Sequence, residues 1–372
     1  ERAVDLAKKA DVTLLFAGLD EFSEAEGLDR SDITMPANQV AVYKALKAAG
    51  CKVVLVLACG SAVYLDWARD ADAIVYAGLT GQAGAVAVLD AVCGKVNPSG
   101  KLAETWSAPE AVCASESYFP GKQMTCEYRE GPYVGYRYFD KTEKPVEFPF
   151  GFGLSYTKFE YSDLSADENG VTFTIKNVGD CDGAEIAQMY VGKPDGKVFR
   201  PAKELKGFKK VFIKAGESVK VSIPFDDKTF RYFDTESNSW EVEGGSYAVY
   251  IAASSRDIRL QTEVTRVGTK EKCPYDGAKL PSYYSGNVEH VGDEEFKELL
   301  GREIPKSGYN FYKKNRMVIH ENCTVADLRY SRRWVGRLFS GAIRFAIRVL
   351  TAFGNKTLAN TLVMGVLHQP VR

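Results

Sequence analysis

The chain has 372 residues, enough for two or three domains, and its 45% hydrophobic and 26% charged content excludes a disordered chain or a collagen-like fibre. Forty-eight basic residues against forty-nine acidic leave a formal charge of −1, which lacks the footprint of a general nucleic-acid binder. The cysteines at 51, 59, 93, 113, 126, 181, 273 and 323 form no C-x-x-C pair, are too sparse for a disulfide scaffold and, with three scattered histidines, give no zinc-site spacing. No metal and no cofactor is therefore expected, and the cysteine usage favours a reducing, cytoplasmic compartment.

Glu1 is followed by no basic-then-apolar leader, and ERAVDLAKKAD reads as a helix already under way, with Val4 and Leu6–Ala7 on one face. The chain is expected to open inside a domain of something longer. Across residues 1–110, the runs Val12–Ala17, Lys52–Ala58 and Ala73–Ala77 read as strands buried on both faces, and Gln39–Ala49, Ala62–Asp70 and Gly84–Val92 have helical spacing. This alternation predicts a doubly wound α/β sheet, an αβα sandwich, whose chemistry should lie in loops that leave strand ends. Residues 111–157 are irregular and aromatic, a packed connector. Over 158–266, Val171, Phe173 and Ile175, then Val219, Val221 and Ile223, then Tyr247, Val249 and Ile251 alternate with other residues, as in the strands of a fibronectin III or immunoglobulin-like sandwich. The aromatics there are expected mainly in the core, so no glycan-binding face is assigned to it.

Residues 267–372 form a mostly helical tail, with a short helix at Asp293–Leu300 stopped by Gly301. From Leu328 onward it holds eight basic residues and no acidic one, against −9 for the remainder. Arg329, Arg332, Arg333, Arg337, Arg344 and Arg348 punctuate an apolar helix, and a membrane span is disfavoured because each arginine inside it would cost about 2.5–3.5 kcal/mol at mid-bilayer. Contact with a membrane surface is weighed and ranked below docking onto the protein itself or a missing part of it.

The richest candidate site is the loop after the first strand, Gly18–Arg30, with Asp20, Glu21, Glu24, Glu26 and Asp29 around one arginine. A glutamate used as a general acid must be partly desolvated or set near another carboxylate, which such a cluster can arrange. On the residues alone, a solvated loop or a hard-cation site remains open beside catalysis. The glycines of Leu79–Gly84 lack the lysine of a phosphate loop and the third glycine of a dinucleotide fingerprint, so tight packing explains them better, and a flavodoxin-like cofactor binder has no phosphate loop to stand on. Cys59-Gly-Ser61 is half of a nucleophile elbow with no histidine nearby. Asn322-Cys-Thr324 and Asn355-Lys-Thr357 match a glycosylation pattern that occurs often by chance.

Four segments in order carry a resemblance. Glu24-Ala-Glu-Gly-Leu-Asp-Arg30 with Met35-Pro36 and Gln39, Gly94-Lys-Val-Asn-Pro-Ser-Gly-Lys-Leu102, Tyr133-Val-Gly-Tyr-Arg-Tyr-Phe139 and Phe148-Pro-Phe-Gly-Phe-Gly-Leu-Ser-Tyr-Thr157 resemble signature motifs of glycoside hydrolase family 3. Ala103, where the family usually has proline, is the one departure. The region after Phe159 is similar to the fibronectin type III-like domain of that family's β-glucosidases. The resemblance implies the C-terminal part of a retaining, exo-acting β-glycosidase acting on an oligosaccharide or β-glucoside. Its nucleophilic aspartate would lie on an N-terminal (β/α)₈ barrel of the same protein. Such a barrel takes about 250 residues and no segment of this chain can supply it. The resemblance carries the acid/base role onto Glu26 first and Glu24 second, and gives Asp29 and Arg30 the shaping of the loop through an ion pair. The alternative is a non-catalytic module that binds glycans or proteins.

Overall fold

The computed structural model describes residues 1–20, 23–25, 30, 32–119, 126–305 and 314–371. The chain falls into two compact units, one of residues 1–17, 34–117 and 128–302, the other of 18–33, 118–127 and 303–372.

The first unit opens with α1 (Arg2–Ala7), β1 (Thr13–Gly18), α2 (Ala37–Ala48), β2 (Val53–Ala58), β3 (Ala73–Tyr76) and α3 (Gly84–Val92). The sheet order is β1-β2-β3, and β2 runs parallel to β3 with Leu55 opposite Ile74. Burial on both faces holds for the central β2, where Val53, Leu55, Val56 and Leu57 are buried. It does not hold for β1 and β3, the sheet's edges: Phe16 is 62% exposed, because an edge strand has a neighbour on one side only. On α1, likewise, Ala7 turns inward while Leu6 stays exposed.

The helix expected over 62–70 is reduced to a single 3₁₀ turn, Asp66–Ala68. In an α-helix the Tyr64 carbonyl would accept from the Ala68 N–H, but the Trp67 indole N–H takes it at 2.9 Å. Ala68 bonds to the Leu65 carbonyl instead, at 2.9 Å. Asp70 then accepts from the Tyr43 hydroxyl (2.7 Å), and Asp72 accepts from the Val53 N–H and the Lys47 ammonium, both at 2.8 Å. These side-chain bonds compete with the backbone ladder and win.

Aromatic side chains pack closely over residues 106–150. β4 (Trp106–Ser107) pairs antiparallel with β5 (Val146–Phe148), placing buried Trp106 edge-on to Tyr76 at 5.1 Å and to Phe148 at 6.4 Å. On α4 (Tyr136–Lys141), Tyr136 stacks on Phe150 at 4.6 Å.

Beyond it stand two antiparallel sheets. One has the order β10-β7-β6, from Ser218–Pro224, Gly170–Asn177 and Phe159–Ala166. The other has the order β14-β13-β8-β9, from Ile258–Arg266, Gly245–Ala252, Gly183–Gly192 and Glu204–Ile213. A hairpin, β11 (Arg231–Asp234) and β12 (Ser239–Val242), completes the set. Period-two alternation buries Val171, Phe173, Ile175, Met189, Val191, Val221, Ile223, Val249 and Ile251 in one core between the sheets. Phe173, Tyr190, Phe230 and Tyr247 are buried as expected, whereas Phe208 on edge strand β9 and Trp240 on the hairpin are 66% and 56% exposed. The unit closes with α5 (Pro281–Ser285) and α6 (Asp293–Leu300), the latter ended by Gly301 at φ +65°.

In the second unit, a 3₁₀ turn (Val325–Tyr330) precedes α7 (Trp334–Ala352) and α8 (Lys356–Leu362). Thr324 and Asp327 cap the turn reciprocally, with the Thr324 N–H donating to Asp327 at 2.8 Å.

Candidate active site

The carboxylate-rich loop follows the C-terminal end of β1 and precedes α2, which begins behind Pro36. Its first turn is built by Asp20. The Asp20 carbonyl accepts from the N–H groups of Ser23 (3.0 Å) and Glu24 (2.9 Å), and its Oδ1 accepts from the Ser23 N–H (2.9 Å) and Oγ (2.8 Å). Asp20 is therefore a turn-former that holds the backbone in place. Glu24 follows directly, half-buried, as Arg30 is. Glu26 and Asp29 lie outside the described residues, and with them the expected Asp29–Arg30 ion pair.

Sequence reasoning overlooked an apolar hollow in the first unit. Thr34, Met35, Val40, Tyr64, Asp66, Trp67 and Pro109 line an open space of about 350 Å³. Tyr43 meets the Trp67 ring edge-on at 5.1 Å and fixes this wall. Burial, then the nearby Glu116 and Cys113, push the Tyr64 phenol above its ordinary range, so it stays protonated and can donate a hydrogen bond. The signal was a Tyr-x-x-Trp pair in a segment read as plain helix.

The other motifs serve construction. Asn97 of the Asn-Pro-Ser-Gly segment accepts from the Ser155 hydroxyl (3.0 Å) and the Tyr156 N–H (2.8 Å), and donates to the Asp182 carbonyl (3.0 Å). Leu102 and Phe152 exchange backbone bonds with their neighbours, Leu102 N–H to the Phe152 carbonyl and Gly151 N–H to the Leu102 carbonyl, both 2.8 Å. Lys101 lies 3.1 Å from both the Gly153 carbonyl and Glu185 of β8. A Cβ on Gly153 would stand 2.2 Å from the Gly100 carbonyl oxygen, and one on Gly151 would stand 2.1 Å from Gln188 Oε1. In the tyrosine motif, the Tyr133 hydroxyl donates to the Tyr283 carbonyl, the Tyr136 hydroxyl accepts from the Leu205 N–H at 2.8 Å, and Tyr138 donates to Glu289 at 2.5 Å. The bonds of Asn97, Lys101 and Tyr136 reach Asp182, Glu185 and Leu205 of the β-sandwich, and those of Tyr133 and Tyr138 reach the segment at and just after α5.

Cys59 is buried and its carbonyl accepts from the Tyr76 hydroxyl at 3.1 Å, a structural position. At the Leu79–Gly84 turn, a Cβ on Gly84 would stand 2.1 Å from the Thr80 side chain, so close packing accounts for that glycine. The eight cysteines are free thiols. Among the described residues, no group of three His, Cys, Asp or Glu side chains is placed to hold a metal ion.

Comparison with known proteins agrees with this architecture. Residues 1–156 match the glycosyl hydrolase family 3 C-terminal domain, and residues 185–255 match a fibronectin type III-like domain. The chain is 42% identical over 278 residues to an exo-α-(1→6)-L-arabinopyranosidase of Bifidobacterium breve, covering 73% of this chain and 37% of that protein. It is 43% identical over 278 residues to thermostable β-glucosidase B of Acetivibrio thermocellus, covering 71% and 37%. The crystal structure of a Bifidobacterium adolescentis GH3 β-glucosidase superposes with a TM-score of 0.70 at 41% identity, over 77% of this chain and 44% of the other. The chain thus spans little more than a third of the length of these curated relatives. It belongs to glycosyl hydrolase family 3, carrying the family's C-terminal α/β domain followed by a fibronectin type III-like domain.

Proposed function

We propose that this chain is the acid/base half of a retaining, exo-acting β-glycosidase, completed by a (β/α)₈ barrel of the same protein that carries the nucleophilic aspartate. The observation that carries the reading is the family match over residues 1–156, which contains the Glu24-Ala-Glu-Gly-Leu-Asp-Arg30 segment on the loop leaving β1. In a retaining enzyme two carboxyl groups face each other about 5–5.5 Å apart across the glycosidic bond. One attacks the anomeric carbon while the other protonates the departing oxygen. The second then takes a proton from the water that releases the sugar. Glu26 is the proposed acid/base, with Glu24 second, while Asp29 and Arg30 shape the loop. Asp20 is set aside, since its carboxylate holds the turn by accepting from the N–H and hydroxyl of Ser23. The substrate proposed is a terminal β-glucoside or, following the names of other relatives, an α-L-arabinopyranoside.

The test is hydrolysis of nitrophenyl β-D-glucoside and α-L-arabinopyranoside by a polypeptide joining this chain to its barrel, with Glu26→Ala and Glu24→Ala compared to the parent. Loss of the acid/base should lower turnover of substrates with poor leaving groups about 10²–10⁴-fold. Nitrophenolate needs little protonation to leave, so the same variant should keep its glycosylation step there and be rescued by azide in deglycosylation. Rescue of Glu24→Ala alone moves the role to Glu24. Parent-like rates in both variants make the loop structural, and a parent that hydrolyses neither substrate leaves the binding-module reading in its place.

A further inference from the structure

The helix α7 presents its bulkiest side chains to solvent. At about 100° per residue, Trp334, Val335, Leu338, Ala342, Phe345 and Val349 fall within one arc of the helix. All of them are exposed, Trp334 at 64%, Leu338 at 62% and Phe345 at 69%. Its other side packs within the second unit, where α7 meets the 3₁₀ turn and α8 and where Ser340 is buried. An amphipathic helix in a folded unit ordinarily buries such an apolar stripe. Phe353, just past its end, is exposed as well.

The charge beside this face is one-sided. Arg337, Arg344 and Arg348 lie along one edge of the arc, and no acidic residue follows Leu328. Arg337 is fixed by donating to the carbonyls of Ser331 (2.7 Å) and Arg332 (2.9 Å). Burial, with Arg329 and Arg348 close by, holds the Arg344 guanidinium below its ordinary range, and Asp327 is the carboxylate opposing them. That carboxylate already accepts from the Thr324 N–H (2.8 Å) and hydroxyl (3.0 Å). Among the described residues, Arg344 Nε, itself buried on a half-buried side chain, has no hydrogen-bond partner. Apart from Asp327, the charged groups acting on Arg344 are themselves arginines.

We propose that α7 is an in-plane membrane anchor, lying on a bilayer that carries anionic phospholipid. Trp334, Leu338 and Phe345 would enter the headgroup–acyl boundary, with Arg344 and Arg348 against lipid phosphates. A wide apolar arc bordered by arginines, with no carboxylate on the helix itself, is the pattern of helices that lie in the interface. Spanning is excluded among the described residues, since no helix is long and apolar enough to cross a membrane. A folded partner would have to match each arginine with a fixed acceptor, and α7 holds no carboxylate of its own to set such a register. A fluid anionic surface supplies interchangeable phosphates and needs no register. The inference rests on α7 and its neighbours alone, independent of the glycosidase reading.

The experiment is sedimentation of the 372-residue chain with vesicles of phosphatidylcholine alone or mixed with phosphatidylglycerol, at low and high salt. The expected result is binding to the mixed vesicles that weakens with salt. Tryptophan emission should shift to the blue and be quenched by brominated acyl chains, and both signals should vanish in Trp334→Phe. Arg344→Gln and Arg348→Gln should each weaken binding about fivefold. The double variant Leu338→Asp/Phe345→Asp should abolish binding with its thermal transition unchanged, because both positions are exposed. The proposal falls if the mixed vesicles are not bound, or if binding survives the double aspartate variant. A dimer that Phe345→Asp dissociates, without vesicle binding, would assign the face to a second copy of the chain instead.

Discussion

Glu289 shows how a single carboxylate can be tied to the fold. Burial pulls its pKa upward, but hydrogen bonds from Lys144 and from the Tyr138 hydroxyl outweigh that and hold it below the ordinary glutamate range. The Tyr138 phenol is pushed the other way, by burial and by Glu289 itself, so it remains a donor throughout. A carboxyl whose folded pKa is depressed stabilises the fold fully above the ordinary value of 4.5 and loses that contribution as pH falls through its folded value. Glu289→Gln should therefore lower Tm at neutral pH and flatten the decline of Tm on acidification, as thermal unfolding in neutral and acidic buffers would report. None of this was visible in the sequence, where 151 positions separate Tyr138 from Glu289. At the same scale, the carboxylates of the Gly18–Arg30 loop were legible as a candidate site. That Asp20 serves the turn was not, because its oxygens' use depends on where the backbone N–H groups of Ser23 and Glu24 point.

At the scale of elements, hydrophobic period was a sound guide wherever packing agreed with it. The run at 53–58 became the central strand, with Val53, Leu55, Val56 and Leu57 buried, and Gly84–Val92 and Asp293–Leu300 are helices at the expected bounds. It failed at 62–70, where an indole captured the carbonyl that a helix would have needed. The glycine-rich Phe148–Thr157 segment is a fastening, and Gly151 is its most constrained point, with φ +80° and Gln188 directly over it. Gln188 Nε2 bonds the carbonyls of Gly151 (3.0 Å) and Ala253 (2.8 Å), so it cannot swing aside without losing both. Gly151→Ala should destabilise the first unit by about 1–3 kcal/mol, measurable as a lower denaturant midpoint. Gly292→Ala, at φ −72° with nothing within 4 Å of its new methyl, should leave that midpoint almost unmoved.

For the whole molecule, the consequence is incompleteness of chemistry. Retaining hydrolysis needs two opposed carboxyl groups, and the proposed reading gives this chain one of them. The isolated chain should hydrolyse nitrophenyl β-D-glucoside no faster than buffer, whereas the polypeptide that also contains the barrel should turn it over. Activity in the isolated chain would mean that both carboxylates lie within it. The order of layers, the family and the candidate loop were determined by the sequence itself, because burial period and short motifs are local properties of neighbouring residues. Tertiary structure alone decided which glycines are crowded, which carboxylate is spent on a turn and which apolar faces stay in solvent. Each of those depends on atoms brought close from distant positions. The basic helix is the clearest case. Its composition was plain from the start, but the outward aim of Trp334, Leu338 and Phe345 was set by which side of α7 the 3₁₀ turn and α8 had already covered.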